Sequence, residues 1–416
     1  MAVEQQVNKL HNQPRMSDEI YHDMLSPEDV QDIRLEVRAF GSEHVAPVAR
    51  EIAERDESVE AFPRALFDEM ASAGLFRIPF AAEDGGRGLD NRVTATAVTV
   101  EELAYYSNSV AAIYDVHCIL AGRTLERGSA EIREKYLGTI VDGSKVGAFA
   151  TTEPQASSDL SPRAMETIAE RTDAGYVVNG QKRWITNSPV AGFITVLCAT
   201  PDGKMVELIV DTDQAGVRIG DPDRKLGNRG QLTADVYFEN VEVPEWNRIG
   251  GDRDGLRIAL STLTYGRIGI AATGVGMAQA AFDAAMQHLK TRTAFGKRLG
   301  EFQHWQFKMA ERATEIENAR NLYLKASLRM DQGIDFPEPE SAMAKFYATE
   351  LAVDMARDPI QIMGGYGYMR ELKHDGFVSP VEAIYRDAKI AEIYEGTNEI
   401  QRMIVARSLF GKEMVG

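Results

Sequence analysis

The spacing of apolar residues along this chain changes twice. From about residue 27 to 146 apolar positions recur every three or four residues, which predicts an N-terminal helical domain. Residues 147–250 instead contain short β-branched and aromatic runs between turns, which predicts a middle β-domain. The helical spacing returns over residues 251–416 and predicts a C-terminal helical bundle. Residues 1–26 are polar and are expected to form a flexible extension.

Local signals refine this division at three places. Ser26 and Pro27 are predicted to be the N-cap and the first residue of the first helix. The Asn179–Gly180 pair lies between two apolar runs and predicts a hairpin turn. Residues 256–290 are predicted to form one helix of roughly 45 Å. Its GVGMAQA stretch, residues 274–280, follows no strand, so its glycines are interpreted as contacts between helices rather than as a dinucleotide loop.

Composition limits the class of protein. The chain has 416 residues, 44% apolar and 26% charged, which indicates two to three globular domains. Its formal charge of −17 argues against binding nucleic acid or an anionic membrane. The chain has two distant cysteines, Cys118 and Cys198, and no Cys/His cluster, which argues against a disulfide framework or a zinc site. Without an apolar signal segment or an 18-residue apolar run, the chain is predicted to be cytoplasmic, with no membrane span.

Two stretches of the middle region carry candidate ligand contacts. Residues 147–160, GAFATTEPQASSDL, supply hydroxyl and backbone donors that suit ring edges or phosphate oxygens, or they form a hydrophilic loop. Trp184 and Thr186 are two residues apart on a predicted strand and therefore share a face. An indole beside a hydroxyl suits a flat heteroaromatic ligand, but a buried tryptophan in a small sheet is the equal alternative.

Three further candidates lie in the C-terminal region. Arg292, Lys297 and Arg298 surround a Phe-Gly break, where they either clamp a pyrophosphate or form a solvated basic turn. The GGYGY stretch at 364–368 allows close backbone approach to a ligand, or is only a turn. Glu395 lies just before a predicted helix start. A carboxylate there is usually a surface residue favoured by the helix dipole, so its position alone does not make it functional.

These stretches, taken together and in order, resemble the acyl-CoA dehydrogenase family. The resemblance covers nearly the whole chain from about residue 27. The matching motifs are TTEP and SSD in residues 151–159, KRWITN at 182–187, RTAFGK at 292–297, QIMGGYGY at 361–368 and IYEGTNEIQR at 393–402.

The resemblance implies an α+β multidomain fold: an all-helical N-terminal domain, a middle antiparallel β-barrel-like domain and a C-terminal four-helix bundle. It implies a flavoprotein of fatty acid metabolism that binds FAD without a Rossmann loop. It also implies a homotetramer, built as a dimer of dimers, that oxidises an acyl-CoA to the trans-2-enoyl-CoA. The electrons are then expected to pass to an electron-transferring flavoprotein.

The resemblance also implies roles for individual residues. Glu395 resembles the catalytic base, which must be a carboxylate in a desolvated site because a thioester acidifies its α-carbon only weakly. The expected substrate contacts are Ser158, Arg267, Tyr394 and Gly396. The expected FAD contacts, some of them to the FAD of a partner subunit, are Phe149, Thr151, Thr152, Trp184, Thr186, Arg292, Phe295, Gln303, Gln361, Gly364, Gly365, Thr397 and Glu399.

Some positions depart from the family pattern. Gln155-Ala156-Ser157 stands where Gly-Ala-Gly is usual, Thr264 stands where Asp is frequent, and residues 372–379 are extra. Some family members carry the base immediately before the arginine that matches Arg267, but this chain has Gly266 there. Two alternative functions stay open: an acyl-CoA oxidase or nitroalkane oxidase that uses oxygen, and a non-catalytic acyl-CoA-binding relative.

Overall fold

The structure, a computed structural model, describes Arg15 and residues 26–415. The predicted extension 1–26 lies outside the described residues except for Arg15 and Ser26, and the Arg15 guanidinium donates to Glu102 Oε2 at 2.6 Å. The first part is helical, as predicted. Its helices are α1 (Glu28–Phe40), α2 (Ala49–Glu54), α3 (Arg64–Ser72), α4 (Arg92–Tyr106), α5 (Asn108–Tyr114), α6 (Arg123–Glu126), α7 (Ala130–Ile132) and α8 (Gly138–Val141), with π-helical turns at Gly41–Val45, Asp115–Gly122 and Arg133–Leu137.

Helix α1 differs from its prediction in two details. It begins at Glu28, with Pro27 rather than Ser26 at the N-cap position. Leu35 is 62% exposed, whereas the other predicted apolar positions, such as Val30 and Val37, are buried. At 100° per residue Leu35 lies about 140° around the helix from Val30, so it faces solvent while the others face α4.

The middle region is one eight-stranded sheet. Its strands are β1 (Val146–Ala150), β2 (Ile168–Arg171), β3 (Gly175–Thr186), β4 (Ala191–Ala199), β5 (Met205–Asp211), β6 (Val217–Ile219), β7 (Thr233–Pro244) and β8 (Arg248–Ile249). They lie in the order β6-β7-β3-β2-β4-β5-β8, with β1 beside β4. Most neighbours are antiparallel, as expected for the fold, but β1 and β2 each run parallel to β4.

The predicted hairpin at Asn179–Gly180 is wrong. Strand β3 continues through this pair, and its pairing with β7 shifts register between Val178 and Gly180. Gly180 has φ +147°, and a Cβ there would lie 2.5 Å from Thr167 Cα. The glycine is therefore needed because the strand bulges here and passes close to the loop before β2. A glycine required for a bulge or a close backbone approach looks the same in the sequence as a glycine required for a turn.

The C-terminal region is a helical bundle around one long helix, α9 (Gly255–Thr291), which has 37 residues. By length and apolar character α9 could cross a membrane, but 89% of its most apolar window is buried inside the protein. A small hairpin, β9 (Thr293–Ala294) and β10 (Lys297–Arg298), follows it. The other helices are α10 (Gln303–Asp331), α11 (Glu340–Met363), α12 (Gly365–Tyr368), α13 (Glu382–Ala391) and α14 (Asn398–Phe410).

The glycines of α9 act as the predicted contacts between helices. A Cβ at Gly274 would lie 2.7 Å from the carbonyl oxygen of Ala348 on α11, and one at Gly276 would lie 2.3 Å from that of Glu101 on α4. Because the clashing atoms belong to backbone, neither contact tolerates a larger residue. Helix α9 thus joins the N-terminal helices to the C-terminal bundle, and it forms one wall of the cavity described next.

Candidate active site

A cavity of about 730 Å³ lies where the sheet, α9 and the start of α14 meet. The sheet contributes the end of β3 and the loop after β1. The helical side contributes the turn between α13 and α14 together with one face of α9. The π-helical turn Asp115–Gly122 contributes Val116 and Leu120 to the wall. Three regions that are far apart in sequence therefore share one concave site.

Glu395 lies on the turn between α13 and α14, in a backbone conformation unusual for a non-glycine residue. Its φ is +54°, and that of Gly396 is +90°. Such geometry costs of order 1–3 kcal/mol and persists only when surrounding contacts impose it. Lys345 Nζ on α11 donates to Gly396 O at 3.0 Å, and Gln401 Nε2 donates to the same oxygen at 2.9 Å. These bonds fix the turn so that the Glu395 side chain faces the cavity.

The Glu395 carboxyl lies in a space that α9 leaves open. A Cβ at Gly266 would lie 1.9 Å from Glu395 Oε2, so only glycine fits there with the carboxyl in place. Burial raises the pKa of Glu395 to about 7, although the neighbouring Asp115 carboxyl and the charges of Lys345 and Arg267 lower it. A carboxylate with this pKa is ionised about half the time at neutral pH and is a stronger base than a solvated glutamate.

Positive charge lies beside this carboxylate. Arg267, on α9, lines the cavity, is 6% exposed and donates to Glu338 Oε1 at 3.1 Å. Burial lowers its pKa, while Glu338 and Glu395 raise it. Lys345 is fully buried, and burial lowers its pKa to about 7 even though Glu395 raises it. The site therefore supplies a base together with nearby groups that favour its ionised form.

The sheet side of the cavity presents a ring and several hydroxyls. Trp184 has φ +56° and is 60% exposed, although it lies within a strand. The register of β3 shifts between Lys182 and Ile185, so the simple alternation predicted for Trp184 and Thr186 is interrupted, but both still line the cavity. Thr186 Oγ1 accepts a hydrogen bond from Gln231 Nε2 at 2.6 Å, which leaves its proton available to the cavity.

The TTEP loop is anchored to β3 by its backbone. Lys182 Nζ donates to Thr151 O at 3.1 Å and to Glu153 Oε1 at 2.8 Å. Arg183 N donates to Thr152 O at 2.8 Å. These contacts hold Thr151 and Thr152 along the cavity. In the altered segment that follows, Ala156 is buried, whereas Ser157 is exposed at the cavity mouth.

Ten of the predicted site residues line this one cavity, and eight do not. Those brought together are Phe149, Thr151, Thr152, Ser158, Trp184, Thr186, Arg267, Tyr394, Glu395 and Gly396. The eight others lie outside it and stay predictions. Thr397 and Glu399 flank the start of α14, and the remaining six lie at the end of α9, the start of α10 and the end of α11: Arg292, Phe295, Gln303, Gln361, Gly364 and Gly365.

One of these six residues, Arg292, lines a separate small cavity of about 300 Å³. The Arg292 guanidinium lies 5.8 Å from the centre of the Tyr366 ring. Asp375 and Phe377, from the extra residues 372–379, line the cavity as well, and Phe377 packs edge-on against Tyr366. Phe295, three residues after Arg292 in the sequence, is 96% exposed. The extra segment therefore lies beside the predicted pyrophosphate contact, and outside the Glu395 cavity.

Two buried charged residues of the site were missed at the sequence level. Asp115 interrupts the apolar run VAAIYDVHCIL, and Lys345 interrupts the helical run SAMAKFYA. A lone charge in an otherwise apolar segment was the available signal, since such residues are rarely buried without a partner. Their partners on the Glu395 turn are 280 and 51 residues away in sequence, and only the fold identifies them.

Comparisons with known proteins agree with this geometry. The sequence profiles of three domains match in order: acyl-CoA dehydrogenase N-terminal domain over residues 27–144, middle domain over 148–241 and C-terminal domain over 253–410. An acyl-CoA dehydrogenase of Bacillus subtilis is 38% identical over 91% of this chain and 97% of its own length. The CarC subunit of the caffeyl-CoA reductase-Etf complex of Acetobacterium woodii is 36% identical, over 88% of this chain and 98% of its own.

Solved structures show the same fold. The butyryl-CoA dehydrogenase of Megasphaera elsdenii superposes with a TM-score of 0.85 at 34% identity, covering 92% of this chain and 98% of that one. A glutaryl-CoA dehydrogenase of Mycobacterium smegmatis, solved with FADH2, superposes with a TM-score of 0.85 at 25% identity, covering 95% and 98%. The chain belongs to the acyl-CoA dehydrogenase family and is an oxidoreductase that acts on CH–CH bonds. The predicted family and three-domain fold are confirmed.

Proposed function

We propose that Glu395 is the base that removes the α-proton of an acyl-CoA thioester, in a cavity that also holds the isoalloxazine ring of FAD. The main support for this proposal is that Glu395, with its pKa raised to about 7 by burial, shares one cavity with Trp184 and Thr186. A base on the helical side and a ring-binding wall on the sheet side of the same cavity suit a thin substrate between them. A bound FAD supplies the acceptor for the β-hydride.

The cavity walls fit a flavin ring. Trp184 offers a large exposed ring for stacking, and Phe149 adds apolar surface. Thr151, Thr152 and Thr186 place hydroxyls along the same wall, where ring nitrogens and carbonyls need polar partners. We assign Thr397 and Glu399 to the same cofactor, and the six distant residues around Arg292 to the FAD of a partner subunit. This last assignment requires an oligomer, and we propose the homotetramer typical of the family.

The chain's own residues handle the proton and the thioester. Glu395 accepts the α-proton, and its strained turn holds the carboxyl toward the cavity. The backbone N–H of Glu395 is the donor that we assign to the thioester oxygen, where negative charge develops as the proton leaves. Tyr394, Gly396 and Arg267 border the acyl group, and Ser158, at the mouth, contacts the CoA portion. Substrate binding would also exclude water from the carboxyl, which strengthens the base.

The reaction and its partner are tested together. Purified protein should carry a yellow flavin, and that flavin should lose its absorbance anaerobically when butyryl-CoA or another acyl-CoA is added. The reduced protein should then reduce an added electron-transferring flavoprotein, the acceptor that we propose because a relative functions in an Etf complex. Protein that binds no FAD even when FAD is supplied would contradict the proposal. Rapid peroxide formation in air, without another acceptor, would instead identify an oxidase.

We propose two further properties, each with a direct test. A homotetramer should show about four times the 46.0 kDa chain mass in light scattering, and a monomer would leave the Arg292 group without a partner. Cytoplasmic location should place the native protein in the soluble fraction of its cells after lysis. Recovery in the membrane fraction would contradict that location.

A further inference from the structure

A second carboxyl lies behind the proposed base. Asp115 begins the π-helical turn Asp115–Gly122 and is fully buried. Neither of its carboxyl oxygens has a hydrogen-bond donor among the described residues, and the same is true of Glu395 Oε2. Each carboxyl is among the groups that shift the pKa of the other, so the two side chains lie close together. A buried carboxyl with no cation and no backbone donor is costly, so this arrangement needs an explanation in the function of the site.

Helix α9 brings the two carboxyls together through two glycines one turn apart. A Cβ at Gly269 would lie 2.1 Å from Asp115 Oδ1, just as one at Gly266 would lie 1.9 Å from Glu395 Oε2. Residues three apart on a helix face the same side, with Cβ positions about 5–6 Å apart. Both carboxyls therefore occupy adjacent spaces on one face of α9, with no side chain from the helix between them.

The pair must hold a proton. Two carboxylates that share a buried space repel each other, so one of the two stays protonated. Ionised carboxylates only accept hydrogen bonds, so the protonated carboxyl is the donor of the pair. The charges around the pair decide which one. Lys345 and Arg267 act on Glu395 and favour its ionised form. Among the residues that the structure describes, the titratable groups that act on Asp115 or on which it acts are Glu395, Tyr394 and Cys118, and none of these is a cation.

Burial and the negative charge of Glu395 together raise the pKa of Asp115 well above its ordinary value. The Glu338 carboxylate pairs with Arg267, and Glu392 and Glu399 act on Lys345, so these acids reduce the positive field at Glu395 rather than at Asp115. The proton therefore remains on Asp115 at a pH where Glu395 has already lost its own.

We propose that Asp115 is a positioning residue that stays a neutral carboxylic acid at neutral pH and donates a hydrogen bond to the carboxylate of Glu395. The inference rests on the proposed function of Glu395 as the base. The donated bond has two effects: it holds the Glu395 carboxyl against α9 in one orientation, and it stabilises the ionised form that the reaction needs. Without the donor, the buried carboxylate would depend on Lys345 and Arg267 alone.

Two substitutions separate donation from packing. Asp115→Asn has nearly the same shape and keeps an N–H donor, whereas Asp115→Leu fills the space without a donor. We expect Asp115→Leu to shift the acidic limb of the pH profile of flavin reduction upward by about one pH unit. A hydrogen bond to a charged group stabilises the charged form by an amount that corresponds to about one pKa unit. Asp115→Asn should leave that limb within about 0.3 units of the wild type.

The pH profile decides between donation and packing. If both variants shift the limb equally, or if neither shifts it, the proposed donation is wrong. Wild-type protein that binds FAD but is not reduced by any acyl-CoA would contradict the function of Glu395, and a second readout then still tests Asp115 itself.

Infrared difference spectroscopy gives that readout without substrate. Wild-type protein at pH 8 should show the carbonyl band of a protonated carboxylic acid that is missing from Asp115→Asn and present in Glu395→Gln. A band that persists in Asp115→Asn, or that is absent from the wild type, overturns the assignment of the proton. Flavin content and far-ultraviolet circular dichroism show whether each variant is folded, and Asp115→Asn, being nearly isosteric, is the variant expected to fold like the wild type.

Discussion

Gly266→Ala should inactivate the protein by displacing the base while leaving the fold in place. The added Cβ would lie 1.9 Å from Glu395 Oε2 and 2.8 Å from Leu120 Cδ2, whereas ordinary contact begins near 3.4 Å. The carboxyl must therefore retreat by about 1.5 Å, and a displacement of about 1 Å at a reacting group can cost about 100-fold in rate. We expect a loss of at least about 100-fold in flavin reduction, which corresponds to about 2.7 kcal/mol of barrier.

The stability of this variant should change little. Crowding of the new Cβ against Leu120 should cost about 1–3 kcal/mol of stability. Alanine is favoured over glycine in a helix interior by about 1 kcal/mol, which offsets part of that cost. The assay is anaerobic stopped-flow reduction by acyl-CoA, alongside flavin content and thermal unfolding. Gly138→Ala is the matched control, because a Cβ at this helical position meets nothing within 4 Å. A Gly266→Ala protein with the wild-type reduction rate would refute the placement of the Glu395 carboxyl against α9.

Two more results are expected. Lys345→Met removes the ammonium that binds Gly396 O, so the turn should loosen and flavin reduction should fall about tenfold or more, with flavin content unchanged, in the same stopped-flow assay. Stability should also depend on pH through Glu395: its native pKa near 7 lies above the ordinary value of 4.5, so ionising it costs stability as pH rises from about 4.5 to 7. In urea titrations, the free energy of unfolding of Glu395→Gln should thus exceed that of the wild type by about 1–3 kcal/mol at pH 8 and should equal it at pH 4. Equal free energies of unfolding at both pH values would mean that the carboxyl is not desolvated.

Much of this site was predictable because its signals are local. The Glu395 turn, the TTEP loop and the KRWITN strand each carry a recognisable short motif, and the structure brings all three to one cavity. The change from helical to strand spacing likewise predicted the order of the domains, because each period reflects burial of one face of an element.

The features that were missed depend on contacts between distant segments. Gly180 has the sequence signal of a turn, but it serves a bulge against Thr167. Asp115 has a visible signal, a charge in an apolar run, but its partner lies 280 residues later, and no local pattern names it. Gly266 was recognised only as the absence of a competing carboxylate, whereas its role is to leave space for Glu395.

The central claim, that Glu395 removes the substrate's α-proton, is tested most directly by comparing wild type with Glu395→Gln in anaerobic stopped-flow reduction by acyl-CoA. Glu392→Gln, three residues earlier and outside the cavity, is the control. We predict that Glu395→Gln keeps its fold and its yellow flavin but is reduced about 100-fold or more slowly, while the control behaves like the wild type. Reduction of Glu395→Gln at nearly the wild-type rate would contradict the account.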